Sequence, residues 1–173
     1  KAWPEMLANA EAIRAAHPDS AFGPFAVGDA LNGLARFDDA IAAYRQAVAI
    51  DPLQHTAWEG IGNAYRSLNR IDAAVDAYRQ AVLTGPENHS AQANLALAHR
   101  ATGDYQAGLD GYESRWNCGS KLTIRPRPDT PVWTGAAPLA GKRILLQAEQ
   151  GFGDTLQMLR YVAPVAARAA HVV

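Results

Sequence analysis

Between residues 21 and 116, apolar residues recur at helical spacing in paired segments, and the pair itself recurs every 34 residues. The stretch His55 to Asn88 shows the unit most fully. Trp58, Ile61, Gly62 and Tyr65 share one face of a first predicted helix; Ala74, Tyr78 and Ala81 share one face of a second, and Pro86 closes the unit. One period upstream, Val27, Gly28 and Leu31 are followed by Ala40, Tyr44, Ala47 and Pro52. The strings from Ala43 to Val48 and from Ala77 to Val82 read the same, one period apart. One period downstream, Leu95, Ala96, Gly103, Tyr105 and Tyr112 keep their places, whereas Arg115 replaces a small residue and Ser120 replaces the proline. The pattern predicts helices over about 24–34, 37–50, 53–68, 71–84, 88–102 and 105–115. Another is predicted over 3–16, ended by His17-Pro18, because a residue before proline is pushed out of the helical region.

These residues at this spacing resemble the tetratricopeptide repeat, with Ile and Tyr standing in for its Leu and Phe. The expected fold is mainly α, a tetratricopeptide-repeat α-solenoid followed by a truncated Rossmann-like β-α-β fragment. Residues 1–18 read as the second helix of a truncated repeat. Full repeats follow at 21–54 and 55–88, and 89–116 is a last, degenerate one. A proline-rich linker occupies 117–141, and 142–173 opens a further domain. The absence of an initial methionine suggests a cut fragment. Each helix pair has an apolar face that it buries only by stacking on neighbours, so about three copies are needed for stability. Gly28 and Gly62 are expected to let the second helix approach the first closely. Trp58, Tyr65, Tyr44 and Tyr78 are expected to pack in the core.

The surface available for work is the concave one, lined by the first helix of each pair. Its inward positions are Phe22, Phe25, Asp29 and Asn32, then Thr56, Glu59, Asn63 and Arg66, then Ser90, Ala93, Asn94, Leu97 and Arg100. Of these, Phe25, Asp29, Glu59, Asn63, Arg66, Asn94 and Arg100 are the candidate ligand-binding residues. A protein or peptide is the expected partner, since the amides of Asn63 and Asn94 could both donate to and accept from an extended main chain. Asn63 could equally be there only because the repeat pattern asks for it. Some tetratricopeptide domains grip a terminal carboxylate with lysines; here Phe25 and Glu59 occupy a typical lysine position, which argues against that mode. A repeat array serving only oligomerisation is the third reading.

Composition narrows the partners. A formal net charge of -1 without long runs of either sign argues against nucleic acid. No apolar run approaches the roughly 20 residues that cross a bilayer. The single cysteine, Cys118, forms no internal disulfide and suits a reducing compartment, so the cytoplasm is the expected location. No metal site and no cofactor are expected in this stretch of chain.

After the repeats the texture changes. Pro126, Pro128, Pro131 and Pro138 mark an extended linker. Lys142 to Gln147 then reads as a short buried strand, Glu149 to Asp154 as a glycine-bearing loop, and Thr155 to about Ala169 as a helix that Pro164 should kink or split. A second strand opens at His171. Main-chain N–H groups at such a helix start suit anions. On spacing alone Asp154 reads as a helix cap; facing an acceptor hydroxyl, it could act as a general base. A lone parallel strand has bare edges, so 142–173 is expected to pack on the repeats or to exchange with a second copy as a homodimer or domain swap.

The run Tyr112-Glu113-Ser114-Arg115-Trp116, then Pro131-Val132-Trp133-Thr134-Gly135, then Leu145 to Gln157 with its Glu149-Gln150-Gly151-Phe152-Gly153-Asp154-Thr155 core, extends the resemblance. It is similar to bacterial proteins that join tetratricopeptide repeats to a heptosyltransferase-like glycosyltransferase of the GT-B type. That resemblance implies a nucleotide-sugar donor for the full-length parent, Asp154 as the catalytic base, and Gly151 and Gly153 shaping its loop. A donor-binding lobe would lie beyond Val173, so the stretch 1–173 is expected to be inactive by itself.

Overall fold

A computed structural model describes residues 2–118, 131–133, 135–146 and 156–173. The chain divides into two units, Lys1–Cys118 and Gly119–Val173.

The first unit is a stack of helical hairpins. Its helices are α1 (Trp3–Ala16), α2 (Phe22–Gly33), α3 (Phe37–Ile50), α4 (His55–Ser67), α5 (Ile71–Thr84), α6 (His89–Ala101) and α7 (Tyr105–Tyr112), followed by a 3-10 turn at Glu113–Asn117. Consecutive helices pack on each other throughout. The turns inside the three hairpins are built alike, with a left-handed residue at Ala35 (φ 58°), Asn69 (φ 57°) and Gly103 (φ 89°), one period apart. Only the third is the residue type that adopts this conformation without a steric cost. Asn88 and Asp104 cap α6 and α7 by accepting from the backbone N–H of Ala91 and Ala107.

The core is built from small residues around two tyrosines. Ala30, Ala40, Ala47, Ala57, Ala64, Ala74 and Ala81 are fully buried, and Tyr44 and Tyr78 are the largest side chains enclosed. Small side chains let helix axes approach, and each ring then fills the space that a missing Cβ leaves. An added Cβ on Gly28 would lie 2.5 Å from the Tyr44 ring, and one on Gly62 would lie 2.5 Å from the Tyr78 ring. Tyr44 also reaches Gly60 of the following hairpin, where a Cβ would again fall 2.5 Å away.

The core thins along the array. One large cluster joins α1 to α5. Among the described residues, a second holds Ala74, Val75, Tyr78 and Ala98, with Tyr65, Ile71 and Leu95 against it. The last hairpin is also shorter than its spacing predicts: α7 stops at Tyr112, and the expected helix to Arg115 tightens into the 3-10 turn. Gly108 and Gly111 stand there in place of Ala74 and Ala77, lowering helix propensity by about 1 kcal/mol each.

In the second unit a strand β1 (Arg143–Ile144) pairs in parallel with β2 (His171–Val172), with Arg143 opposite His171 and Ile144 opposite Val172. Hydrogen bonds from Ala170 to Lys142, from Val173 to Ile144 and from Leu146 to Val173 extend the ladder. The expected strand-helix-strand order is present. The expected single helix is interrupted: helical residues 156–158 pass into a 3-10 turn at Leu159–Tyr161 and then into a short α8 (Val162–Ala166). Pro164 accounts for the split, because it has no N–H to donate to residue 160 and its ring crowds that carbonyl. The expectation of a buried strand is corrected: Leu145 and Leu146 are exposed, and Ile144 is half-buried.

Candidate functional site

The first helices of successive hairpins, α2, α4 and α6, carry the polar row expected to face a partner. Its geometry is set by a lattice of side-chain hydrogen bonds that crosses from one hairpin to the next. Glu59 on α4 accepts from Asn88 Nδ2 (2.9 Å), from the Ser90 hydroxyl and from Asn94 Nδ2 (3.1 Å), all belonging to the following hairpin. Arg66 donates to Asn94 Oδ1 at 3.3 Å and to Asn63 Oδ1 at 3.5 Å. One carboxylate and one guanidinium therefore fix four polar side chains on one face. Charge-assisted hydrogen bonds of this kind are stronger than neutral ones and hold their partners in place.

Asn63 and Asp29 have a second task. Each accepts from the tyrosine of its own second helix: Tyr78 donates to Asn63 Oδ1 at 2.8 Å, and Tyr44 donates to Asp29 Oδ1 at 2.7 Å. The two pairs are one period apart and do the same job, satisfying a buried phenol at the inner surface. Burial is the main reason that the Tyr78 phenol is pushed up to about 12, with Glu59 adding to it and Arg66 opposing it. Tyr44 is raised further, by burial first and then by Asp29. Both hydroxyls stay protonated donors at any ordinary pH.

The third hairpin breaks the series. Leu97 stands where Asp29 and Asn63 stand, and Tyr112 lies under two guanidinium groups, Arg100 at 5.3 Å and Arg115 at 4.4 Å from its ring centre. Phe25 sits 5.9 Å from the Tyr44 ring and packs against the core, so its ring is shared between core and groove. Asn94 has both ends of its amide engaged inside the lattice. The Nδ2 of Asn63 remains directed to neither Tyr78 nor Arg66. Gly151, Gly153 and Asp154 lie outside the described residues.

Asp29 gives a test of this arrangement. Its carboxyl is raised by burial, partly offset by the Tyr44 hydroxyl. An acid raised in the folded state contributes stability that is fully present below its unfolded pKa and is lost as pH rises through the folded one. Asp29→Asn keeps an acceptor for Tyr44, as Asn63 does for Tyr78, and removes the buried charge. It is expected to stabilise the protein at pH 7 by up to about 1 kcal/mol. The gain should fade as pH falls through the Asp29 titration. Urea denaturation of both forms from pH 3 to 7 measures this; a loss of stability at pH 7 would mean that the charged hydrogen bond outweighs burial.

The lattice itself was not readable from spacing. Glu59 reaches residues 29, 31 and 35 positions away, and only the fold tells which of them it meets. The signal that was available is the run of short polar side chains at Asn88, Ser90 and Asn94, opposite a lone acid one repeat earlier.

Comparison with known proteins bears on the repeats. A family model described as tetratricopeptide repeat matches residues 25–82 and again 60–116. No curated protein sequence matches the chain. Among solved structures, the chain is similar to a crystal structure of MamA at 20% identity and TM-score 0.59, covering 65% of this chain and 66% of that one. It is similar to the MamA RS-1 ArsTM double mutant at 16% identity and TM-score 0.60, covering 67% of this chain and 65% of that one. Another crystal structure of MamA protein aligns at 19% identity and TM-score 0.59, covering 72% and 70%. The match thus spans just under two thirds of the first two of these chains, and at such identity the likeness is one of fold. Residues 117–173 lie outside the family match.

Proposed function

The chain belongs to the tetratricopeptide-repeat family, and from that premise we propose that residues 21–116 are a docking scaffold for an extended segment of another protein. The segment would lie along the face of α2, α4 and α6. The observation that supports this is the Glu59–Arg66 lattice. It orders polar side chains, three of them half-buried and Ser90 exposed, across two hairpins before any ligand arrives, so binding does not have to supply that ordering. Phe22 (57% exposed) and Leu97 (37% exposed) place apolar side chains on the same inward row as the lattice. Arg66 and Arg100 favour a segment carrying carboxylates.

Selection of binders from a random peptide library tests this. A selected peptide is expected to bind the wild-type chain at least tenfold more tightly than an Arg66→Ala, Arg100→Ala double variant, equivalent to about 1.4 kcal/mol. Equal binding to both forms, with the variant folded by circular dichroism, would refute the reading.

The longer reading rests on the resemblance of the tail. In it the scaffold precedes a heptosyltransferase-like glycosyltransferase that uses a nucleotide-sugar donor, with Asp154 as its base, and the repeats select the acceptor. The parallel order of β1, α8 and β2 is compatible with the opening of a Rossmann-like lobe. Exchange of 142–173 between two copies is supported by the exposed apolar residues Leu145, Leu146, Leu156, Met158 and Leu159. No helix among the described residues is long and apolar enough to cross a membrane.

A further inference from the structure

A cleft of about 630 Å³ opens between α5, α6 and α7. Val82, Leu95, Ala107 and Gly111 give it apolar walls, Gln92 and His99 stand along α6, and polar side chains between Asp110 and Asn117 complete the lining. The helix turns about 100° per residue, so Gln92, Leu95 and His99 lie on the opposite side of α6 from Ser90, Asn94 and Leu97. The cleft is therefore separate from the polar row.

The preceding hairpin shows what this space is shaped to hold. One period earlier, Trp58 and Tyr65 stand at the places of Gln92 and His99, and both rings pack against the main core cluster. One polar fitting has been kept while the rings have gone. Trp58 Nε1 donates to the carbonyl of Pro52 at 3.2 Å, and Gln92 Nε2 donates to the equivalent carbonyl of Pro86. At the other end, the Tyr65 hydroxyl accepts from Arg45 at 2.7 Å, whereas the His99 ring turns to Asp104, 3.4 Å away. Gly111 in place of Ala77 widens the floor further. Val82, Leu95 and Ala107 on its walls stand one period after Val48, Ile61 and Ala73 of the preceding repeat.

We propose that this cleft is a second binding site, which takes a tryptophan side chain from a partner polypeptide. Burying an indole against Val82, Leu95 and Ala107 restores the packing that Trp58 gives the hairpin before it. Aromatic side chains bring large apolar area at a small loss of side-chain freedom, which suits an anchor residue in a shallow cleft. The proposal does not depend on what the polar row binds.

The test uses the whole chain, labelled with nitrogen-15 and titrated with N-acetyl-tryptophanamide. Saturable shifts are expected at the amides of Leu95, His99 and Gly111, and none of that pattern with N-acetyl-alaninamide. Gln92→Trp refills the cleft from one end and His99→Tyr from the other. Each is expected to raise Tm and to reduce the tryptophan-induced shifts at least fivefold, while Arg66→Ala leaves them unchanged. The proposal is overturned if the two probes act alike, if the shifts appear elsewhere, or if they persist in whichever refilled variant folds.

Discussion

Tyr44→Ala is expected to cost about 3–5 kcal/mol, the range for deleting a buried aromatic ring from a core. The ring is 1% exposed and is caught between Gly28 of its own hairpin and Gly60 of the next, with Phe25 beside it. No backbone can collapse into both gaps at once, so most of the ring's volume should remain as a cavity. Its hydroxyl also serves Asp29, and an orphaned half-buried carboxylate adds to the cost. Tyr44→Phe, which loses only that hydrogen bond, should cost about 1 kcal/mol. Because hairpins in such arrays are coupled mainly to their neighbours, the alanine variant should also lose cooperativity between α1–α3 and α4–α7. Urea denaturation followed by fluorescence and circular dichroism checks both points. A loss below 1 kcal/mol, or a single unchanged transition, would show that the ring does not join the hairpins.

Gly62→Val should be the next most damaging change. A Cβ at residue 62 falls 2.5 Å from two carbons of the Tyr78 ring, which is 0% exposed and tied to Asn63. Replacing glycine inside a helix ordinarily gains up to about 1 kcal/mol with alanine, and less with a branched residue. Overpacking a closed core typically costs about 1–3 kcal/mol, and here the ring cannot move without breaking its hydrogen bond. The net expectation is a loss of at least about 2 kcal/mol, read as a fall in urea midpoint with little change in slope. The third hairpin shows how the clash is otherwise avoided. It has Ala96 at the equivalent place, and the glycine has moved across to Gly111, whose added Cβ would meet the Ala96 methyl at 3.1 Å. Gly62→Val leaving stability unchanged would mean that α4 and α5 can part without penalty.

The sequence made the hairpins legible because each follows from local rules repeated in register. Helices α1, α3 and α5 fall where the apolar spacing predicts, since the prolines and the turn residues stop them at fixed offsets. The roles of Tyr44 and Tyr78 as core were readable for the same reason. What lay out of reach were contacts between repeats. Asn94 reads from spacing as a free amide, yet Glu59 and Arg66 occupy both its ends. Asp29 reads as a groove acid, yet a tyrosine on the partner helix holds it. The cleft beside α6 could have been found by asking which residues replace Trp58 and Tyr65, because Gln92 and His99 change the packing volume without disturbing the helical pattern. In the tail, the Ile144-Leu145-Leu146 run reads as a covered strand. Apolarity says that a strand wants a cover and cannot say where that cover comes from; Leu145 and Leu146 are exposed and Ile144 is half-buried.

The thinning of the core toward Cys118 gives the array a direction. Among the described residues, the cluster that reaches the hairpin of α6 and α7 holds four buried residues, three of them on α5, whereas the larger cluster runs from α1 to α5. Tension or a protease acting from that side would unspool the last hairpin while Tyr44 stayed locked. The scaffold would then shorten by one rung instead of collapsing, and whatever gripped only the far rungs would be let go first.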